Sequence, residues 1–287
     1  MMKLLLTAAI ILQVAAVGSQ VSPSAVWSLV RRPVWVARIG LAMYILTPLL
    51  AVLLAETFGS PRSIKAAMLL LAISAAAPML PNKLVKLGID SAHDTALTVV
   101  SAVLAIVLVP IALPVLGAIF GRDITIGPES VARVLAITFV LPLAAGMILN
   151  LFLGNAADRL APLAVTLSTI IIGVFVLIVV FAQGGTLFSL LRDGWILIVL
   201  FAAGSLLIGH LCGGSDPAER TSLAIATVTR HPGLALLMAT SNLREVPDAP
   251  SAIIAFILGT SLATIPYTIW RRRRLNSMKP ASAAMAG

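Results

Sequence analysis

The sequence predicts an all-α integral membrane protein of about nine transmembrane helices, arranged in inverted repeats with two broken crossover helices. Three observations carry this expectation. Hydrophobic residues make up 60% of the 287 and charged residues 11%, whereas soluble domains are roughly a quarter charged. The mean hydropathy is +1.07, and runs near the ~20 apolar residues needed to span a bilayer recur along the chain. Two runs are interrupted by proline in mid-segment, at Pro78-Met79-Leu80-Pro81-Asn82 and at Arg230-His231-Pro232-Gly233.

Leu4–Val17 is apolar behind Lys3 and ends in small residues, a pattern shared by signal peptides and first transmembrane helices. The following stretch favours a helix. Ser22-Pro23-Ser24 reads as a helix start with proline at the first turn, and Trp27 with Arg31-Arg32-Pro33 suits an interfacial connector. Pro33–Ala55 is the next span, with Arg38 near its start. Pro61-Arg62-Ser63 opens Ile64–Ala77, which breaks at Pro78 and resumes over Lys83–Ile89. Thr95–Phe120 spans again, with kinks expected at Pro110 and Pro114.

After the polar loop Gly121–Pro128, further spans are expected at Glu129–Phe152, Ala161–Ala182 and Trp195–Leu211. Glu129 and Arg133 have the spacing of a helical ion pair, and His210 and Cys212 fall at a helix end, in interfacial positions. Asp216-Pro217 starts the helix that breaks at Arg230–Pro232 and resumes to about Thr240. Ala249–Trp270 is the last span, stopped by Arg271–Arg274. Residues 1–120 are then expected to form a first inverted repeat, 121–274 a second, and 275–287 a disordered cytoplasmic tail.

Lysine and arginine set the orientation. One side collects Arg31, Arg32, Lys83, Lys86, Arg159, Arg220 and Arg271–Arg274, and should be cytoplasmic. That puts the amino terminus outside and the carboxyl terminus inside, in the plasma membrane of a bacterium. The net charge of +9 reflects this basic face, so no nucleic-acid partner is inferred. The single cysteine excludes an intrachain disulfide, no metal-ligand cluster is visible, and no cofactor is called for. All eleven acidic residues fall at loops or helix ends, leaving no carboxylate at the bilayer centre.

The two breaks are spaced alike. Pro78 and Pro232 each precede an aspartate, Asp94 and Asp248, by the same interval, and four spans lie between the two interrupted segments. An even number of intervening spans makes equivalent segments enter from opposite sides. Inverted repeats built this way bring discontinuous helices together near the midplane as a substrate site. Broken backbone survives in a bilayer only where it faces protein or a cavity, and an arginine there costs about 2.5–3.5 kcal/mol on insertion scales. The candidate substrate-binding residues are therefore Pro78, Pro81, Asn82, Thr229, Arg230, His231, Pro232 and Gly233. An intramembrane enzyme would need a nucleophile–base pair or metal site. Arg230 and His231 have no carboxylate or thiol beside them, so no enzyme is expected.

At these residues the chain resembles the bile acid:sodium symporter superfamily over nearly its whole length. The likeness rests on Ser22–Pro33 with Leu41–Leu49, on Ala77–Asn82 with Asp94–Val99 and Pro110, and on Thr229–Ala235. The resemblance implies ten helices in two inverted five-helix repeats, with a panel and a core moving against each other in alternating access. This chain would begin at the family's second helix. It further implies transport of a small organic anion beside the crossover. The family's Ser-Asn pair after the first break becomes Pro81-Asn82. Its acidic sodium ligand, glutamine and asparagine in the second crossover fall at Ala226, Arg230 and His231.

A guanidinium offers five donors and no acceptor, so the sodium site should be degenerate, with Arg230 in place of a bound cation and drawing an anion. Asn82, Thr229 and the carbonyls freed by the prolines would orient that anion. His231 is the one residue type there able to titrate near neutral pH, which opens proton coupling; the alternative is a neutral histidine bonded to a freed carbonyl. An anion-binding receptor of the same fold, without transport, is the alternative function. Arsenite efflux in a related branch uses a cysteine within a span, whereas Cys212 falls at a helix end.

Overall fold

The computed structural model describes residues 2–20, 31–77, 79–89, 97–105, 107–109, 111, 136–242, 246 and 248–278. Every regular element among them is helical. α1 (Met2–Ser19) buries Leu6, Ile10 and Val14, one turn apart on a single face. α2 (Pro33–Thr57) opens with proline at its first turn and is π-helical over Leu41–Leu46. α3 (Arg62–Ile73) and α4 (Leu80–Val85) are the halves of the first interrupted segment, and α5 (Leu97–Val109) follows. The second part comprises α6 (Ala136–Leu153), α7 (Asn155–Ala182) and α8 (Gly184–Cys212), then α9 (Pro217–Val228) and α10 (Pro232–Asn242) as the second interrupted pair. α11 (Ala249–Ala263) leads into α12 (Ile265–Met278).

Among the described residues five helices are long and apolar enough to cross a membrane: Pro33–Thr57, Ala136–Leu153, Arg159–Ala182, Gly184–Cys212 and Ala249–Ser277. Two shorter apolar helices, Leu4–Ser19 and Leu97–Val109, accompany them. The interrupted pairs are absent from the long helices because neither half reaches a bilayer's thickness at 1.5 Å per residue. Exposed Leu151, Phe152, Leu163 and Phe181 on α6 and α7 suit a lipid-facing surface.

The helices pack in two groups. α1 lies against α6 and α7, so closely that a Cβ on Gly146 would stand 2.0 Å from the Ala15 carbonyl oxygen. In the other group α8 packs on α9 and α11, and α11 packs on α3 and α10. α3 is buried from Ser63 to Ile73 except at Lys65 and forms the axis of that group. The groups meet where α1 touches α10, with Ile10 against Gly233, and where α7 touches α8 and α11.

Several boundaries differ from the sequence expectation. α3 stops at Ile73, short of Pro78, because proline cannot supply the N–H that the Ser74 carbonyl needs to continue the ladder. α8 begins at Gly184, ahead of the Trp195 start expected for that span, and Gln183 alone separates it from α7. The last helix runs through Arg271–Arg274 to Met278, since arginine is a good helix former and its charges do not end a helix. Asp216 caps α9 as predicted, accepting from the N–H groups of Ala218 and Glu219. The Ser22–Val30 connector, Asp90–Asp94, Pro110, Pro114, Gly121–Pro128, the Glu129–Arg133 pair and residues 279–287 lie outside the described residues.

Candidate functional site

The two breaks meet. Residues 75–77 and 229–231 run antiparallel, with Ala76 opposite Arg230. The His231 N–H donates to the Ala75 carbonyl at 2.9 Å and the Ala77 N–H to the Thr229 carbonyl at 3.1 Å. Each extended segment thus satisfies part of the other's interrupted ladder, as backbone at membrane depth requires.

Arg230 is 4% exposed and holds this crossing together. Its Nε donates to the Thr227 carbonyl at 2.8 Å, Nη1 to Ser74 at 2.9 Å and Nη2 to Met43 at 2.9 Å. Each acceptor has lost its helical partner. Ser74 would receive from residue 78, a proline. Thr227 would receive from His231, whose N–H goes instead to Ala75. Met43 would receive from Thr47, but in the π-helical register Thr47 donates to Ala42, and Pro48 has no N–H to offer next. Pro78 and Pro48 thus orphan two of these carbonyls and the His231–Ala75 bond the third, and one planar guanidinium answers all of them. The Tyr44 hydroxyl closes the same region by donating to the Ser101 carbonyl, while Ser101 Oγ accepts from the Ala76 N–H at 3.0 Å.

His231 is 1% exposed and caps α10: its Nδ1 accepts from the Leu234 N–H at 3.2 Å. That bond requires an unprotonated Nδ1. The histidine thus answers a freed amide, where a freed carbonyl was expected, because it sits at the start of a half-helix whose first N–H groups are the orphans.

Beside the crossover lies a cavity of about 120 Å³. Ala77, Thr229, Arg230 and Pro232 line it from the crossing segments, Lys83 from α4, and Phe201 and Phe256 from α8 and α11. Of the expected site residues, Thr229, Arg230 and Pro232 come together there. Gly233 is buried against α1, His231 serves the cap, and Pro81 is half-buried in α4. Pro78 and the Asn82 side chain lie outside the described residues.

Of the carbonyls expected to orient a substrate, those freed by Pro78 and Pro81 are engaged within the protein, Ser74 by Arg230 and Ala77 by the Leu80 N–H at 2.9 Å. Leaving them for a ligand would expose unsatisfied groups whenever the ligand departs. Met43 and Lys83 were missed. Pro48 within an apolar span was the signal for Met43; for Lys83 the only signal was its place one turn beyond the first break.

At the far end of the same helices, Arg32 pairs with Glu219 at 2.8 Å. Arg271 donates to Thr221 Oγ1 at 2.8 Å and to the Pro217 carbonyl at 2.7 Å, lying over the Trp270 ring. His210 Nδ1 is 2.8 Å from the Tyr267 hydroxyl, and its ring packs against Tyr267 and Trp270.

The model of the Sodium Bile acid symporter family matches residues 7–190. No curated protein matches the chain. The matched segment contains the first break and ends before the second, so Arg230 and His231 lie beyond it.

Proposed function

The chain belongs to the sodium bile acid symporter family, and from that premise we propose that it is a secondary transporter of a small organic anion in which Arg230 stands in place of a bound sodium ion. Membership carries the general activity, membrane transport of organic solutes coupled to an ion. The finer reading rests on one observation: the guanidinium donates to carbonyls of Met43, Ser74 and Thr227, from three separate segments. Carbonyl oxygens converging from several segments are the ligands a sodium ion would use, and here a covalently attached cation takes them. Ala226, where the resemblance expects an acidic ligand, is buried and apolar. A fixed internal cation removes the need for sodium to complete the crossover.

The transport cycle proposed is alternating access, with the α1–α6–α7 group moving against the group that carries the crossover. Each packs mainly within itself, which supports separate bodies. The proposed orientation has the amino terminus outside and the carboxyl terminus cytoplasmic, in a bacterial plasma membrane. The pairing of Arg32 with Glu219 and of Arg271 with Pro217 and Thr221 supports it by gathering residues expected on the cytoplasmic side.

Proteoliposome uptake of an organic-anion panel, first with sodium, then with choline, then across a pH step, tests this reading. Uptake should persist in choline. Strict dependence on sodium would sink the Arg230 substitution, and saturable binding without uptake would favour an anion receptor. Proton coupling through His231 has a structural obstacle, because protonating Nδ1 ends the cap on Leu234; a rate that follows the pH gradient would show the obstacle is overcome.

A further inference from the structure

The last span turns a fixed face outward. Ala249–Ser277 is one span across the α11–α12 junction, and three side chains set its rotation at the carboxyl end. Tyr267 and Leu275 pack on the core. Between them Arg271 is buried, its Nε donating to Thr221 Oγ1 and its Nη2 to the Pro217 carbonyl. These three recur one turn apart and share one side of the helix. The opposite side carries Leu258, Leu262, Ile265 and Ile269, all exposed and again about one turn apart, with exposed Trp270 at their end. Arg272 and Arg273 follow on that outward side one turn beyond Ile269, and both are exposed.

Holding the fold together accounts for Arg271 but not for the two arginines after it. Among the described residues neither Arg272 nor Arg273 pairs with a carboxylate. The acids at the start of α9 are engaged: Asp216 caps that helix and Glu219 pairs with Arg32 at 2.8 Å. Residues 274–287 add Arg274 and Lys279 and no acidic side chain. Length shows where the charges stand. The stripe from Leu258 to Ile269 is about 16 Å long at a rise of about 1.5 Å per residue, one half of a hydrocarbon core roughly 30 Å thick. The apolar stripe thus covers one leaflet, and Arg272 and Arg273 fall in that leaflet's headgroup layer. Trp270, an interfacial residue type, is held from behind: Arg271 lies over its ring at 5.3 Å, and the His210 and Tyr267 rings stand 5.6 Å away.

From this arrangement we infer that the outward face of α12 at Trp270, Arg272 and Arg273 is a docking surface for an anionic phospholipid of the adjacent leaflet. The two guanidiniums take the headgroup phosphate, for which their planar forks are suited. The fixed indole marks the glycerol level, and an acyl chain lies along Ile269, Ile265 and Leu262. A zwitterionic headgroup sets its own cation beside its phosphate, so the arginine pair favours a headgroup without one. The inference goes beyond transport and holds whichever solute the chain carries.

The test is tryptophan quenching by brominated lipid in the reconstituted full chain. W27F/W35F/W195F leaves Trp270 as the sole tryptophan; if that variant does not fold, W27F/W195F serves, because Trp35 is buried away from lipid. The vesicles hold phosphatidylglycerol and phosphatidylcholine of identical acyl chains, with one and then the other brominated. Phosphatidylglycerol should be preferred at Trp270 by about five-fold or more, and R272Q/R273Q should bring the preference below about two-fold. Melting temperatures establish that the double variant folds; if it does not, R272Q and R273Q are made singly, and each should cost about two-fold or more. W27F/W35F/W270F reports instead from Trp195, exposed on α8 and about 22 Å along that helix from His210. No comparable preference should appear there.

Equal quenching by the two lipids at Trp270, a preference that survives neutralising the arginines in the folded chain, or the same preference at Trp195 overturns the inference. Inorganic phosphate at the concentration of the lipid should leave the quenching unchanged. Displacement of phosphatidylglycerol by it would make the surface a site for the free anion and overturn lipid docking.

Discussion

Arg230 donates a 2.9 Å hydrogen bond to the carbonyl of Met43, 187 residues earlier in the chain. The bond joins the second crossover to a helix that is itself unbroken. It exists because the π-helical turn over Leu41–Leu46, followed by Pro48, leaves that carbonyl without a partner in its own helix. The guanidinium is therefore a structural member first, and its charge reaches the cavity as a consequence.

Removing that member should be severe. R230A and R230M orphan three buried carbonyls, each worth about 1–3 kcal/mol when left unsatisfied. Thermal unfolding in detergent should show a large loss for both. R230K keeps the charge but lacks the planar fork, and should fall between them and the parent. Equal melting temperatures for R230K and R230M would mean that charge contributes nothing.

Pro48 acts at one remove. P48A supplies an N–H that the Met43 carbonyl can accept within its own helix, competing with Arg230. Stability should change by no more than about 1–2 kcal/mol, because a helix N–H is gained as a crossover bond weakens. Uptake should fall several-fold. A variant with parental uptake would mean that the Met43 bond has no bearing on transport.

Sodium dependence should be recoverable. In A226E/R230Q an acidic group and a neutral amide replace the guanidinium at positions where the resemblance expects sodium ligands. Uptake by this double variant should become stimulated by sodium over choline while the parent stays indifferent. R230Q alone should lose uptake in both salts.

His231 is read as a cap. H231N keeps a good capping side chain and should retain stability, whereas H231A should lose about 0.5–2 kcal/mol. The H231N variant should also keep the parent's pH profile of uptake between acid and neutral pH. A profile that flattens in H231N alone would restore a proton-coupling role to the imidazole.

Packing of α1 on α6 depends on a glycine contact. In G146A the added Cβ would meet the Ala15 carbonyl oxygen at 2.0 Å, backbone that cannot swing aside. Expression and melting temperature should both drop. G173A is the matched control, because nothing lies within 4 Å of the position. Alanine there should be neutral or stabilising by about 0.5–1 kcal/mol through helix propensity.

Much was legible before any fold was known. Membrane class, the position of both breaks and the pairing of those breaks followed from hydropathy and from proline's missing N–H, which are properties of short stretches of chain. Asp216 as the cap of α9 belongs to the same kind, since a cap is settled within one turn. The helix ends were harder: α3 stops at Ile73 and α12 runs past Arg274, where local signals pointed elsewhere.

The identity of Arg230's partners, the role of His231 and the place of Lys83 on a cavity wall lay beyond sequence reading. A proline announces that a carbonyl is orphaned but not which donor will reach it, because that depends on how separate helices pack. Arg230 was visible as a buried charge from its surroundings in the chain. Only the meeting of α2, α3 and α9 turned it into the cation that three broken ladders share.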